Sequence, residues 1–438
     1  MMSFKNFSEH SGWVCGLLLL VLLMPTASEA GRARILGLGG GDKSFTIDDP
    51  LNIWRLPATL VQHTSWVGIE TAGAGETSFG IHFPVGDDSV VALYGTSTTR
   101  PALSATRAGN LGAFLDSEGL RAYRKSNGGE YTALSLGSEV NEGHGITAKG
   151  TVFFASRLGD WGSVGVRAGV WADNVTESLS APNAEVVTEK GPLVIDTALG
   201  FGAHVLGGRL DLSVGFDYGT YQHTASTAVE QAGSGTPEPA AETRDVSIGN
   251  EYRISGLLMG RWELFEGWSL IPFVDGFYVT TEGKPGNVGA DEIKYESIGV
   301  YGGFDLAIEP VDWLTIQPGL AFGYGHSMDE LVGVDRFEQT VLQLPSASLS
   351  LEMRFVDWLD VRMGGGVVST KQSGTAHDDD SEGWKIHYRV GGGLGFHLPA
   401  DVHIDVQAQY GEWSTKPLVY SPAAVDGFGV NIGLYARW

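Results

Sequence analysis

The sequence predicts an all-β protein, a transmembrane antiparallel β-barrel of about sixteen strands, with fourteen as the alternative. Two observations predict this fold: apolar and polar residues alternate along many segments, and the connections between segments alternate between short and long. Successive side chains of a strand point to opposite faces, so each such segment has one apolar face and one small or polar face. A barrel with lipid outside and water inside requires this pattern.

The last thirteen residues, 426–438, show the alternation most clearly. One parity is entirely apolar and consists of Phe428, Val430, Ile432, Leu434, Ala436 and Trp438. The other parity is small or polar, and the chain ends on an aromatic ring. A soluble sandwich also alternates, but a second sheet would cover its apolar face. We expect a membrane strand here, in which Ile432, Leu434 and Trp438 form a C-terminal signal for the barrel-assembly machinery.

Segments 210–218, 298–308, 386–396 and 402–410 alternate in the same way. A shift of one residue would turn their polar side chains towards lipid, so the register is strongly specified. An arginine at the bilayer midplane would cost about 2–4 kcal/mol. The residues that we expect to face the lumen are Asp211, Asp217, Asp305, Arg362, His387, Arg389, His403, Asp405 and Gln407. Such a wall holds water, and the glycines of the same parity are expected to leave lumen space.

Seven short turns separate pairs of alternating segments, at 85–88, 158–161, 206–209, 265–268, 310–313, 355–358 and 398–401. Four of them end on a tryptophan, and the recurrence predicts an aromatic girdle at a membrane interface: Trp161, Trp268, Trp313 and Trp358. The other connections are longer and polar, at 95–143, 173–190, 223–243, 281–291, 328–336, 371–383 and 414–426. In such barrels short turns are periplasmic and long loops extracellular. Within the first long loop, residues 101–124 have helical character.

The N-terminal 62 residues divide into two parts. Residues 1–30 carry Lys5, a short apolar run and Ser28-Glu29-Ala30, which together predict a secretory signal peptide. That part contains Cys15, the one cysteine in the sequence. Residues 31–62 are polar and not strand-like, and we expect a segment that plugs the lumen or lies in the periplasm ahead of the barrel, 63–438. The formal net charge of −24 argues against nucleic acid as a partner.

A resemblance to a known family is carried by the N-terminal segment. Its motif begins with Gly31-Arg32-Ala33 and continues with Asp48, Asp49, Asn52, Arg55, Pro57 and Ala58. This pattern resembles the N-terminal region of the long-chain fatty-acid transporters of the outer membrane (FadL type). Leu56 stands where that family has the asparagine of an Asn-Pro-Ala motif. The resemblance implies a barrel with an N-terminal plug, and implies a fatty-acid cargo less strongly.

These observations predict a channel or transporter in the outer membrane of a Gram-negative bacterium, for passive uptake of small, polar or hydrophobic molecules. The expected partners are outer-membrane lipid and lipopolysaccharide, the assembly machinery and a small-molecule solute, without a cofactor or metal. One alternative is a structural or surface-interaction barrel that transports nothing. Another is an outer-membrane enzyme that uses His387 and His403. The run 377–380 (His-Asp-Asp-Asp) is more typical of a solvated loop than of a calcium site.

Overall fold

The computed structural model describes residues 38, 46–47, 49–72, 76–98, 139–142, 147–172, 175–181, 184–190, 193–229, 240–284, 293–331, 336–376, 379–413 and 425–437. Nearly all of these residues lie in antiparallel strands. The strands are β1 (Trp66–Ala72), β2 (Glu76–Val85), β3 (Ser89–Thr98), β4 (Glu139–Glu142), β5 (Thr147–Arg157), β6 (Gly162–Ala172), β7 (Val175–Ala181), β8 (Ala184–Lys190), β9 (Leu193–Val205), β10 (Gly208–Val229), β11 (Ala240–Phe265), β12 (Trp268–Lys284), β13 (Ile293–Val311), β14 (Leu314–Leu331), β15 (Arg336–Val356), β16 (Leu359–Ala376), β17 (Asp379–Leu398), β18 (Val402–Trp413) and β19 (Val425–Arg437). No helix among the described residues is both long enough and apolar enough to cross a membrane.

Sixteen of the described strands form a closed barrel. Strands β1, β2, β3, β5, β6 and β9 to β19 pair in this order, and β1 also pairs with β19. The prediction of sixteen strands is therefore confirmed. Outside the sixteen barrel strands, β8 pairs with residues 223–229 of β10, β7 pairs with β8, and β4 pairs with β7.

The two faces of the wall have opposite character, as β10 illustrates. Asp211, Ser213 and Asp217 are buried inside, whereas Leu212 and Val214 between them are 44% and 51% exposed. A soluble protein would bury the second set, because burial of apolar surface is favourable in water. Apolar side chains on the outside of a closed barrel are instead the arrangement that a lipid environment stabilises.

The short turns all lie at one end of the barrel, together with the start of β1 and the end of β19. Several are built on glycines with positive φ, a conformation that other residues adopt with strain: Gly86, Gly159, Gly207 and Gly267. Trp161, Trp268, Trp313 and Trp358 are exposed at this end. About ten residues further up, a second set of aromatic side chains points outward from Tyr252, Tyr278, Tyr324, Tyr388 and Tyr410. The spacing matches the 9–11 residues that a tilted strand needs to cross a bilayer.

The interpretation of the long polar connections as loops is partly wrong. Segment 173–190 contains β7 and β8, and 223–243 contains the end of β10 and the start of β11. Likewise, β16 and β17 reach into 371–383. Backbone pairing continues above the apolar band because it needs no apolar side chain, and residues such as threonine and valine favour strands. The stretch 101–124, whose sequence suits either a helix or an irregular loop, lies outside the described residues.

Candidate functional site: the occupied lumen

A segment that precedes β1 lies inside the barrel. We call residues 46–63 the plug; of these, 46–47 and 49–63 are described. It contains two short 3-10 helices, Pro50–Trp54 and Pro57–Gln62. Proline suits the first position of a helix, and Pro57 disfavours helical backbone at Leu56 before it, so the two helices stay separate. Ile53, Leu56 and Leu60 are buried.

Two apolar clusters hold the plug against the wall. Ile53 and Leu60 pack among inward-facing side chains near the barrel seam: Trp66, Val90, Ala92, Tyr94, Phe153, Ala155 and Tyr435. Leu56 packs on the opposite wall with Leu257, Met259, Ile271, Phe273 and Ala321. A strand that is apolar on both faces loses its alternation. Segments 90–94 and 257–259 are continuous apolar runs for this reason, and that signal was available in the sequence.

The wall also contacts the plug through hydrogen bonds to its main-chain carbonyls. Ser163 Oγ donates to the Ala58 carbonyl over 3.1 Å, and Arg157 Nη2 donates to that of Val61 over 3.3 Å. Arg167 donates to the Trp54 carbonyl. The remaining donors to the plug are His82, which donates to the His63 carbonyl, and Arg261 and Gln317, which donate to that of Thr46. Ser350 Oγ donates to the carbonyl of Leu38, which precedes the plug.

Several polar contacts with the wall involve plug side chains, and one of them is the hydrogen bond that Gln317 Nε2 donates to Thr46 Oγ1 over 3.1 Å. Arg55 forms an ion pair of 2.5 Å with Asp275 on β12. Thr46 Oγ1 donates to Asp305 over 2.5 Å, so this predicted lumen carboxylate contacts the plug. Within the plug, Asn52 Nδ2 donates to the Ile47 carbonyl over 2.7 Å. Asp49 is buried, and its carbonyl accepts the Asn52 N–H. Asp48 lies outside the described residues.

Pro57 and Ala58 lie directly on two glycines of the wall. A Cβ added to Gly165 would be 2.6 Å from the Ala58 nitrogen, and one added to Gly200 would be 2.8 Å from it. The sequence analysis expected lumen-facing glycines to leave open space. At this level they do not, because the plug occupies the space beside them. They allow the plug backbone to approach the wall, where any side chain would displace it.

A second polar region, which we call the Arg362 network, lies on β15 to β18. Arg362 is nearly fully buried and forms ion pairs with Glu352 at 2.7 Å, Asp360 at 3.4 Å, and Asp405. Its side chain crosses β17 at Gly395, where a Cβ would be 2.6 Å from the guanidinium. Three further side chains adjoin this network. His397 Nε2 lies 2.6 Å from Asp360, and the His403 ring packs on His397. Arg354 forms a second ion pair with Asp360 at 3.6 Å.

The other predicted lumen residues lie on the expected face where their side chains are described. Asp211 accepts from Arg209 at 2.8 Å, and Asp217 lies 4.0 Å from Arg167. Gln407 is buried, and Arg389 is half-buried. For His387 the structure describes the strand position alone. Ile432 and Leu434 are exposed on the outer face of β19, whereas Trp438 lies outside the described residues.

Arg167 is a lumen residue that the sequence interpretation missed. It is almost completely buried, contacts the Trp54 carbonyl, and lies 3.3 Å from Asp196. Its segment, Gly162–Ala172, consists mostly of glycine, alanine and valine, so its alternation is weak. The position of Arg167 between Val166 and Ala168 was the remaining signal. A separate cavity of about 290 Å³ is lined by Val61 and Gln62 of the plug and by wall residues that include Arg157.

No protein-family model and no curated protein matches the sequence. Among solved structures, the Ralstonia pickettii toluene transporter TbuX is similar with a TM-score of 0.42 and 11% identity, over 94% of this chain and 98% of that chain. The Pseudomonas putida toluene transporter TodX has a TM-score of 0.37 and 9% identity over the same shares. The Yersinia pestis ferric yersiniabactin uptake receptor FyuA has 0.39 and 8%, over 85% and 80%. The strand pairing itself, not these similarities, establishes the barrel.

Proposed function

We propose that this protein is a channel for passive uptake of small molecules across a Gram-negative outer membrane, closed by its N-terminal plug. The observation that carries the proposal is that a separate segment, which is not one of the barrel strands, occupies the lumen and packs against strands on both sides of it, β1, β3, β5 and β19 on one side and β11, β12 and β14 on the other. A barrel with a purely structural role needs no separable segment, because its own side chains can fill the interior. A segment that can leave the lumen would turn a closed barrel into an open one.

The polar contacts of the plug are individually modest. A neutral hydrogen bond contributes about 0.5–1.5 kcal/mol net, one from a charged donor such as Arg167 about 1.5–3 kcal/mol, and an ion pair as exposed as Arg55 and Asp275 about 0–1 kcal/mol. By contrast, the hydrogen-bonded ladders of the barrel are continuous around its circumference. The described plug residues take part in none of these ladders, and a local element can open at lower free energy than the whole protein. We therefore expect the plug to leave the lumen while the barrel stays folded.

The location follows from the two faces of the wall. The outward apolar band, bounded by aromatic side chains at both ends, suits a lipid bilayer. Both ends of the barrel sequence, Trp66 and Arg437, lie at the end with the short turns, which is periplasmic in such barrels. Outer-membrane lipid, lipopolysaccharide and the assembly machinery are the partners that this location implies. Inside, paired carboxylates and guanidinium groups favour water and small solutes.

Conductance in planar lipid bilayers tests the proposal. We expect the intact protein to show small or rare openings, and a variant that lacks residues 31–62 to show large, steady currents. Folding of both proteins is checked by the mobility shift on heating in gel electrophoresis. If neither folded protein conducts, the channel is refuted and the structural barrel is favoured.

A further inference from the structure

The wall recognises the plug largely through its main chain. Among the described residues, six wall side chains donate hydrogen bonds to five backbone carbonyls of the plug, and a seventh donates to the carbonyl of Leu38 ahead of it. The donors are His82, Arg157, Ser163, Arg167, Arg261, Gln317 and Ser350. They come from six different strands, so they surround the lumen. Their acceptors are present in any peptide, whatever its side chains are.

The contacts with plug side chains add a coarse selection. The two clusters accept the apolar side chains of Ile53, Leu56 and Leu60. Asp275 accepts one cationic side chain, that of Arg55. A ligand that satisfies this surface needs spaced carbonyl acceptors, some apolar groups and a cation opposite Asp275. A sugar or hydrocarbon lacks this combination, whereas a short peptide has it.

Resting on the proposed function, we infer that the lumen surface under the plug is a binding site for short peptides, and that peptides are the cargo class. The plug occupies this site as an internal competitor. The strands that carry the donors stay in position when the plug leaves, because each of them is paired on both sides. A peptide that enters the open barrel replaces the carbonyls of the plug with its own. Passive passage needs only binding and release of the peptide, and no covalent bond is made or broken.

The test uses the variant lacking residues 31–62 in planar bilayers. Three blockers are added: a capped peptide with the sequence of residues 46–63, an unrelated capped peptide of equal length and charge, and polyethylene glycol of similar mass. We expect both peptides to block the current, the first one more tightly, and the polymer not to block at the same concentration. Titration calorimetry on the detergent-solubilised variant measures the same binding without current.

Variants of the wall donors test whether block depends on hydrogen bonds to the peptide or only on the size of the blocker. Replacing Arg167 and Arg261 by glutamine should weaken block by either peptide about tenfold for each charged donor lost. Arg354→Gln is the matched control, because Arg354 pairs with Asp360 in the Arg362 network. Ser163→Ala, a smaller change, tests the same surface if the arginine variants fold poorly.

The outcomes distinguish the two proposals. If the variant conducts but peptides and polymer block equally, or if the wall variants change nothing, the peptide site is overturned while the channel stands. If the folded variant does not conduct, the channel itself fails. Binding of both peptides, weakened by the arginine replacements, supports the peptide site.

Discussion

Two regions of the lumen satisfy their polar groups in different ways. Beside the plug, side chains such as Arg167 and Ser163 donate to carbonyls of a segment that is not part of the barrel. In the Arg362 network, a guanidinium on β16 binds carboxylates of the wall itself. One filling is therefore a separate segment, and the other is built into the barrel strands. The proposed gate uses the first kind.

Burial separates the two regions as well. The Arg362 side chain is 2% exposed and its partner Asp405 also 2%, whereas Arg55 is 36% exposed and its partner Asp275 19%. Removing one member of a buried ion pair leaves the other charge buried without a partner. After the same change in an exposed pair, water solvates the remaining charge. The same chemical change should therefore have different consequences in the two places.

The largest expected effect comes from Arg362→Ala. It leaves Glu352, Asp360 and Asp405 close together without their shared cation, and should destabilise the barrel by about 3–5 kcal/mol. Arg55→Ala should lower stability by about 1 kcal/mol or less and instead increase the frequency of channel opening. Urea unfolding in lipid vesicles measures the first quantity, and single-channel recording measures the second. Equal losses of stability for the two variants would contradict the comparison.

A smaller effect is expected from Gly165→Ala. The new Cβ would collide with Pro57 and Ala58, and overpacking of this kind costs about 1–3 kcal/mol. The cost falls on plug docking, so the channel should open more often while the strands stay paired.

Gly150→Ala is the matched control, because a Cβ there meets nothing within 4 Å. Protease cleavage within the plug, compared between the two variants, reports plug release directly. Similar cleavage in both would show that the plug does not rest on Gly165.

The sequence predicted the barrel because lipid outside and polar groups inside impose a two-residue period. In β10, Asp211, Ser213 and Asp217 are buried and Leu212, Val214 and Phe216 exposed, as the alternation indicated. The short turns were predictable because they carry turn residues such as Gly159 and Gly267. The strand ends opposite the short turns were not predictable, because backbone pairing continues into polar segments that show no alternation.

The site was less predictable, because it depends on contacts between distant segments. Nothing local shows that Gly165 adjoins Ala58, or that Arg362 lies across Gly395 to reach Asp405. The apolar runs at 90–94 and 257–259 were the available sign that parts of the wall are covered inside. A strand buried between two layers of a soluble protein has the same kind of apolar run. The runs therefore indicate that both faces of the strand are covered, but they do not indicate which segment covers them.

The most direct test of the account locks the plug in place. The sole cysteine, Cys15, lies in the predicted signal peptide, so Arg55→Cys and Asp275→Cys can be joined by a short, reducible cross-linker. Each single-cysteine variant, treated identically, is the control. The proposed passage requires the plug to leave, so cross-linking should abolish the current in planar bilayers and a reductant should restore it. An unchanged current through the cross-linked protein would contradict the account.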